Sequence, residues 1–183
     1  MDKTKEIGGI DLVKAIKAGK IFIYPTDTIY GIGCDASNKE AVNKIRELKK
    51  RDEKPLSVIA PSFDWIKENL IIDEGLDIKK YLPGQYTIIL KKKDPFFLKW
   101  VSLSDSLGIR IPNHKFTREL QKSGVPFITT SVNLTGEPFA RKVSEIKPEL
   151  INKVDYIIKA ADENKLSGKP SKLIINGEEI LRR

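Results

Sequence analysis

Apolar residues follow two alternating spacings along the chain, one typical of helices and one typical of strands. Helical spacing predicts a short helix that begins at Leu12 and ends at Gly19, and further helices over residues 37–50, Phe63–Leu70, Gly75–Leu82 and Phe116–Lys122. Extended apolar runs predict strands at Ile21–Tyr24, Leu56–Ala60, Tyr86–Lys91, Leu107–Ile111, Phe127–Thr130, Val154–Ile158 and Leu173–Ile175. The alternation predicts an α/β fold in which helices flank a twisted, mixed β-sheet.

Two helix starts carry capping signals. Ser37 with Glu40 three residues later has the spacing of a capping box, and that helix is predicted to run to about Lys50. Ser62 is predicted to open the helix over Phe63–Leu70.

The length of 183 residues and the hydrophobic share of 40% suit one domain, which we expect to span residues 1–183. No stretch of about 18 apolar residues is present, and the charged N-terminus is followed by no apolar leader segment. We therefore expect a cytoplasmic protein. The longest predicted loop, Ala160–Ser171, is rich in Gly, Lys, Pro and Ser, and we expect it to be mobile over the functional site.

Thirty-three Lys and Arg residues against 25 Asp and Glu give a formal net charge of +8. An excess of this size favours polyanions through long-range attraction, and nucleotide phosphates and tRNA both qualify. The alternative for most of the basic clusters is an ordinary lysine-rich surface.

Cys34 and His114 are each the only residue of their type, which excludes an internal disulfide and cysteine-rich or histidine-rich metal sites. Cys34 could be a nucleophile, but a small buried thiol is the favoured interpretation. His114 could act as a base for Ser131 in a hydrolase. No Gly-x-Ser-x-Gly turn surrounds Ser131, however, and a histidine that caps a loop after Pro112 is the simpler reading.

The stretch from Tyr24 to Gly33 has the composition of a binding turn that leaves a strand. Thr26 and Thr28 offer hydroxyls, and the small Gly31 and Gly33 would let main-chain N–H groups approach a ligand. This composition predicts one wall of a pocket for a small polar substrate.

Further motifs follow in a fixed order: Lys49-Lys50-Arg51 before Lys54-Pro55-Leu56, then Pro83-Gly84-Gln85-Tyr86-Thr87, Gly108-Ile109-Arg110-Ile111-Pro112-Asn113-His114, and Thr129-Thr130-Ser131-Val132-Asn133-Leu134-Thr135-Gly136. With these motifs, the chain resembles the YrdC-like threonylcarbamoyl-AMP synthases from about Ile10 to its C-terminus. The resemblance implies the YrdC-like fold with a basic concave cleft.

The resemblance also implies an enzyme, a nucleotidyltransferase that converts L-threonine, bicarbonate and ATP into threonylcarbamoyl-AMP and pyrophosphate. The product would serve N6-threonylcarbamoyladenosine modification of tRNA, so the implied partners are the tRNA threonylcarbamoyl-transferase machinery and tRNA or double-stranded RNA. Mg²⁺ is expected with ATP and would be held chiefly by phosphates and water, so no protein metal ligand is predicted.

The site residues that the resemblance implies fall into two groups. Threonine would be bound by Thr28, Arg110, Thr129 and Ser171; the nucleotide would be bound by Lys49, Arg51, Lys54, Ser106, Ser131 and Asn133, with Lys49, Arg51, Ser131 and Asn133 as the catalytic set. Cations and polar donors are suited to a reaction that brings a carbamate anion to a triphosphate. A guanidinium such as that of Arg110 is the natural bidentate partner for a carboxylate.

For residues in each group, a purely structural role is the alternative to substrate binding. Lys49 and Arg51 stand at the end of a predicted helix, where the helix dipole favours cations, and Arg110 could form a surface ion pair. Ile59, Phe139 and Lys172 depart from the usual family pattern. These departures keep open a second hypothesis, a non-catalytic YrdC-like paralogue that binds tRNA or double-stranded RNA.

Overall fold

A computed structural model of the protein describes residues 3–5, 9–50, 53–134 and 136–180. Arg51, which the sequence places in the nucleotide-binding and catalytic sets, lies outside these described residues. None of the helices in the described ranges combines the length and the apolar character that crossing a membrane requires.

The described residues form one sheet that mixes parallel and antiparallel pairs. Its strands are β1 (Thr4–Lys5), β2 (Phe22–Pro25), β3 (Tyr30–Gly33), β4 (Ser57–Ile59), β5 (Leu70–Ile71), β6 (Tyr86–Lys92), β7 (Ser106–Arg110), β8 (Phe127–Ser131), β9 (Tyr156–Ile158), β10 (Lys172–Ile175) and β11 (Glu178–Ile180). Their order is β1-β9-β2-β3-β8-β4-β7-β6-β10-β11, with β5 beside β6. The mixed α/β fold predicted from the sequence is confirmed.

The register of the central strands determines which polar residues meet. Gly31 in β3 is opposite Ser131 in β8, in an antiparallel pair. Ser57 in β4 is opposite Thr129 in β8, and Ile59 is the parallel partner of Arg110 in β7. Three motifs that are distant in sequence therefore lie on neighbouring strands, with β4 between two of them.

Five α-helices pack around the sheet within the described ranges: α1 (Leu12–Lys17), α2 (Lys39–Leu48), α3 (Phe63–Asn69), α4 (Lys115–Gln121) and α5 (Pro148–Ile151). The Ser62 hydroxyl accepts a hydrogen bond from Trp65 N–H, which confirms the predicted start of α3. His114 caps α4, because its Nδ1 accepts from Phe116 N–H at 3.1 Å. The sequence predicted that His114 caps a loop, whereas it caps the start of a helix.

The two faces of β2 explain how helices cover both sides of the sheet. Phe22 and Tyr24 point to a cluster with Phe116 of α4 and Phe127 of β8, and the Tyr24 and Phe116 rings stack at 4.8 Å. The alternate residue, Ile23, points to the larger core, which includes the buried residues of α2 and α3. Strand alternation in a doubly covered sheet produces this near-continuous apolar run.

The Tyr24–Gly33 stretch is a hairpin rather than a turn that leaves a strand, because Tyr30–Gly33 forms β3 and pairs with β2. Gly31 lines a cavity, as expected. Gly33 was expected to face a ligand, and this prediction is wrong. A Cβ on Gly33 would lie 1.9 Å from the carbonyl oxygen of Ile128, so its small size serves strand packing.

Two local predictions are also wrong. Asn38 rather than Ser37 caps α2, because its side chain accepts from Ala41 N–H, whereas Ser37 N–H donates to Asp35. The helix predicted over Gly75–Leu82 is reduced to a 3-10 turn at Ile78–Lys80.

Replacing Gly33 with alanine should destabilise the protein strongly, by about 3 kcal/mol or more, because backbone atoms of β8 cannot move away cheaply. Gly124→Ala is the control: its φ of +72° carries a backbone cost of about 1–2 kcal/mol, but no heavy atom lies within 4 Å of the added Cβ. Thermal denaturation should show a drop of about 10 °C for Gly33→Ala and of a few degrees for Gly124→Ala. Equal shifts would contradict this assignment.

Candidate active site

A cavity of about 110 Å³ opens where the hairpin, the central strands and the end of the 160–171 loop meet. Hydroxyl-bearing residues dominate its lining: Thr26, Tyr30, Ser57, Thr87, Thr129, Thr130, Ser131 and Ser171. Among the described residues that line it, Arg110 alone is charged. The cavity can therefore offer many hydrogen bonds and one guanidinium to a small polar ligand.

Arg110 is the last residue of β7, and it is only 6% exposed. Its Nη2 donates to Asp27 Oδ1 at 3.1 Å and to Thr28 Oγ1 at 3.2 Å, while its buried Nε meets no acceptor among the described residues. Burial lowers the pKa of Arg110, and the neighbouring Asp27 carboxylate partly offsets this effect. A guanidinium with donor capacity beyond Asp27 can donate to a second carboxylate.

Thr28 supports Arg110 through a chain of hydroxyls. Thr26 Oγ1 donates its single hydrogen to the carbonyl oxygen of Ile29 at 2.7 Å, so in the 2.8 Å contact between the two threonines Thr28 must be the donor. The Thr28 oxygen is then left to accept from Arg110. Thr28 is fully buried and lies behind Arg110 rather than in the cavity lining.

The other walls of the first cavity carry further hydroxyl groups. Thr129 lies in the cavity lining, next to the buried Tyr24, whose pKa is raised by burial and lowered slightly by the Thr129 hydroxyl. Thr87 of β6 and Ser171 share a buried hydrogen bond of 2.7 Å. Thr87 was absent from the predicted site residues, although its position in the Pro83–Thr87 motif was a signal that could have found it.

Lys49 connects the two predicted catalytic motifs. It is 2% exposed, and its Nζ donates to the carbonyl oxygens of Ser131 and, at 2.6 Å, of Asn133. The residue at the C-cap of α2 therefore holds the main chain of the Ser131-Val132-Asn133 turn. Ser131 also lines the cavity with Arg110.

A second cavity, of about 560 Å³, adjoins the first and shares Phe139 with it. Asn133 lines this second cavity, and its Nδ2 donates to the carbonyl oxygen of Glu137 at 2.6 Å. Within the part of the chain that the structure describes, its buried Oδ1 has no hydrogen-bond partner. Apolar groups of Val132, Pro138 and Leu150 line the same space.

Two predicted nucleotide-binding residues are not part of the lining of these two cavities. Ser106 is at the opposite end of β7 from Arg110, with its hydroxyl 3.1 Å from that of Ser104. Lys54 is exposed, and its carbonyl oxygen accepts from Arg46 Nη1 at 3.0 Å. With Arg51 outside the described residues, a basic concave cleft stays a prediction.

The 160–171 loop lies against the hairpin. Gly168 N–H donates to the carbonyl oxygen of Thr28 at 2.8 Å, and Ala160 N–H donates to the Tyr30 hydroxyl at 2.9 Å. The Tyr30 hydroxyl in turn donates to Glu163 at 2.9 Å. These bonds place the loop at the cavity, and its mobility stays a prediction.

No group of three or more His, Cys, Asp or Glu side chains in the described part of the chain is arranged to bind a metal ion. Cys34 is fully buried, and burial raises the pKa of its thiol. The thiol therefore stays protonated at neutral pH, as the structural interpretation of Cys34 expects.

The profile of the Sua5/YciO/YrdC family, described as "Telomere recombination", matches residues 14–183. The chain belongs to this family. A relative from Methanocaldococcus jannaschii, provisionally named a threonylcarbamoyl-AMP synthase, is 41% identical over 175 residues, 93% of this chain and 81% of the relative. The threonylcarbamoyl-AMP synthase of Vibrio campbellii is 34% identical over 170 residues, 88% of this chain and 90% of that protein.

Solved structures of Sua5/YciO/YrdC proteins have the same fold. Escherichia coli YciO superposes with a TM-score of 0.78 and 27% identity, covering 93% of this chain and 85% of YciO. Sua5 of P. abyssi, solved in complex with L-threonine, gives a TM-score of 0.77 and 26% identity over 91% of this chain. The present chain spans about half the length of that Sua5 protein.

Two departures from the Sua5/YciO/YrdC pattern lie outside the cavity lining. Ile59 is fully buried in the cluster around Phe116. Lys172 is exposed and pairs with Glu179 of β11 at 3.0 Å. Phe139 differs from both, because it lines the two cavities and is 41% exposed.

Cys34 should resist the thiol reagent DTNB at pH 8 as long as the protein is folded, because the thiol is buried and protonated. In guanidinium chloride the same thiol should react completely within minutes. Absorbance of the released thionitrobenzoate measures both rates. Prompt stoichiometric labelling of the folded protein, with its circular dichroism unchanged, would contradict this description.

Proposed function

We propose that the chain is an L-threonylcarbamoyladenylate synthase, a nucleotidyltransferase that makes threonylcarbamoyl-AMP and pyrophosphate from L-threonine, bicarbonate and ATP. The observation that carries the proposal is the buried guanidinium of Arg110 in a cavity of hydroxyls, directly beside the Ser131–Asn133 turn that Lys49 holds. The names of the relatives from Methanocaldococcus jannaschii and Vibrio campbellii support the same activity.

L-Threonine is proposed to bind in the first cavity. Its carboxylate would pair with Arg110, and its hydroxyl and amine would meet the hydroxyls of Thr129, Ser171 and the newly found Thr87. Thr28 would orient Arg110 through its hydrogen bond to Nη2, without lining the cavity itself. Sua5 of P. abyssi was solved with L-threonine, which supports this choice of ligand.

ATP is proposed to extend from Ser131 towards the second cavity, where Asn133 has a buried amide oxygen that no described residue contacts by a hydrogen bond. Lys49 would keep the Ser131–Asn133 turn in position, and Arg51 and Lys54 would add positive charge beside the phosphates. Mg²⁺ is proposed to accompany ATP, held by phosphate oxygens and water. Ser106 remains a predicted nucleotide contact that lies apart from this arrangement.

The chemistry requires positioning and charge stabilisation rather than a covalent enzyme intermediate. The threonine amine and bicarbonate combine to a carbamate with loss of water. A carbamate oxygen then attacks the α-phosphorus of ATP, and the bond to pyrophosphate breaks. The protein's contribution would be to hold two anions together and to offer donors to the charge that moves onto pyrophosphate.

The same proposal covers the location and the partners of the protein. The chain would act as one cytoplasmic domain that supplies the tRNA threonylcarbamoyl-transferase machinery. The net charge of +8 supports an affinity for tRNA or double-stranded RNA that falls as salt rises. A non-catalytic RNA-binding paralogue is not favoured, because the named synthase relatives cover most of the chain.

Pyrophosphate release should require L-threonine, bicarbonate and ATP together, and omission of any one should reduce the rate to background. Lys49→Ala should lower this rate by about 100-fold or more, because the turn that bears Ser131 and Asn133 loses its ammonium. Lys44→Ala, an exposed lysine on the same helix, is the matched control and should leave the rate unchanged. A coupled pyrophosphate assay measures the rates of the wild type and of both variants.

Pyrophosphate release that does not depend on threonine would contradict the proposed reaction. A rate for Lys49→Ala within a few-fold of the wild-type rate would contradict the role given to Lys49.

A further inference from the structure

Asp27 joins several segments of the candidate site through one side chain and one carbonyl. Its Oδ1 accepts from Arg110 Nη2 at 3.1 Å, and its Oδ2 accepts from the main-chain N–H of Asn113 at 2.9 Å. Its carbonyl oxygen accepts from Gln85 Nε2 at 3.1 Å and from Ser167 N–H at 3.4 Å. The residue thus connects the hairpin with β7, the start of β6 and the 160–171 loop.

The Asp27–Arg110 ion pair is almost completely removed from solvent, with side-chain exposures of 10% and 7%. In such surroundings a lone guanidinium is strongly disfavoured, whereas one that is paired with a carboxylate and hydrogen-bonded can be accommodated. Asn113 N–H fixes the second oxygen of the carboxylate, so the carboxylate cannot follow a moving arginine. Arg110 is consequently held in one orientation at the cavity wall.

We propose that Asp27 is a positioning residue, which sets the guanidinium of Arg110 for the carboxylate of the amino-acid substrate without contacting that substrate itself. This inference rests on the proposed function, because it deepens the role given there to Arg110. Asp27 is absent from the lining of the first cavity and instead lines a separate cavity with Gln85 and Asn113, which is consistent with an action through Arg110. Thr28 adds the second acceptor on Nη2.

Asp27→Asn tests the inference, since the amide keeps an oxygen for Asn113 N–H but removes the charge that orients Arg110. The dissociation constant and KM for L-threonine should rise about 10- to 100-fold, with a much smaller change in kcat and in KM for ATP. L-Threoninamide, which lacks the carboxylate, should bind wild type and variant with equal, weak affinity. Calorimetry and the pyrophosphate assay provide these values.

Asp155→Asn is a matched control elsewhere in the molecule. Asp155 also bridges a cation and a main-chain N–H, with Oδ1 3.1 Å from Lys20 Nζ and Oδ2 2.9 Å from Ile21 N, but it lies outside both cavities. The same substitution there should leave threonine binding unchanged. Threonine affinity of Asp27→Asn within two-fold of wild type would overturn the inference, and so would an equal loss of threonine and ATP affinity.

A double-mutant cycle separates this inference from the proposed function. Urea unfolding of Asp27→Asn, Arg110→Gln and the double variant measures whether the two side chains are coupled, and it requires no substrate. If wild type released no pyrophosphate and bound no threonine, the proposed function would fail, whereas strong coupling would still support the placement of Arg110 by Asp27. Additive effects in the cycle would overturn the positioning role whatever the protein's activity.

Discussion

The burial of one positive charge is the constraint on which the candidate site depends. Arg110 ends a central strand with its guanidinium almost removed from solvent, and its compensation comes from Asp27 and Thr28 in the β2–β3 hairpin. A buried charge is tolerable only when hydrogen-bonded partners surround it. The hairpin and β7 must therefore pack together for the cavity to form. The cavity wall then contains a cation, Arg110, that is already held in place.

The sheet makes this arrangement possible because its central strands come from distant parts of the sequence. The antiparallel pairing of β3, β8 and β4 places Gly31 opposite Ser131 and Ser57 opposite Thr129, and the parallel pairing of β4 with β7 places Arg110 beside Ile59. Lys49, at the end of α2, donates hydrogen bonds to the main-chain oxygens of Ser131 and Asn133, at and just after the end of β8. Two neighbouring cavities result, one rich in hydroxyls and one lined by both apolar and charged side chains.

Local patterns were sufficient to predict much of the fold. Ser62 caps its helix as predicted because capping depends on a few adjacent residues, and Arg110, which the family resemblance indicated, lines the first cavity. Features that depend on distant partners could not be predicted. Gly33 must be small because the carbonyl oxygen of Ile128 lies where its Cβ would be. The Lys49 ammonium donates hydrogen bonds to main-chain oxygens more than 80 positions away in the chain.

The central claim is that Arg110, held by the hairpin, receives the carboxylate of L-threonine. A crystal structure of the protein with L-threonine and a non-hydrolysable ATP analogue tests it most directly. The account predicts a threonine carboxylate oxygen about 2.7–3.2 Å from the Arg110 guanidinium, with Asp27 and Thr28 still bound to Nη2. Threonine bound elsewhere, or an Arg110 side chain turned away from both the ligand and Asp27, would contradict the account.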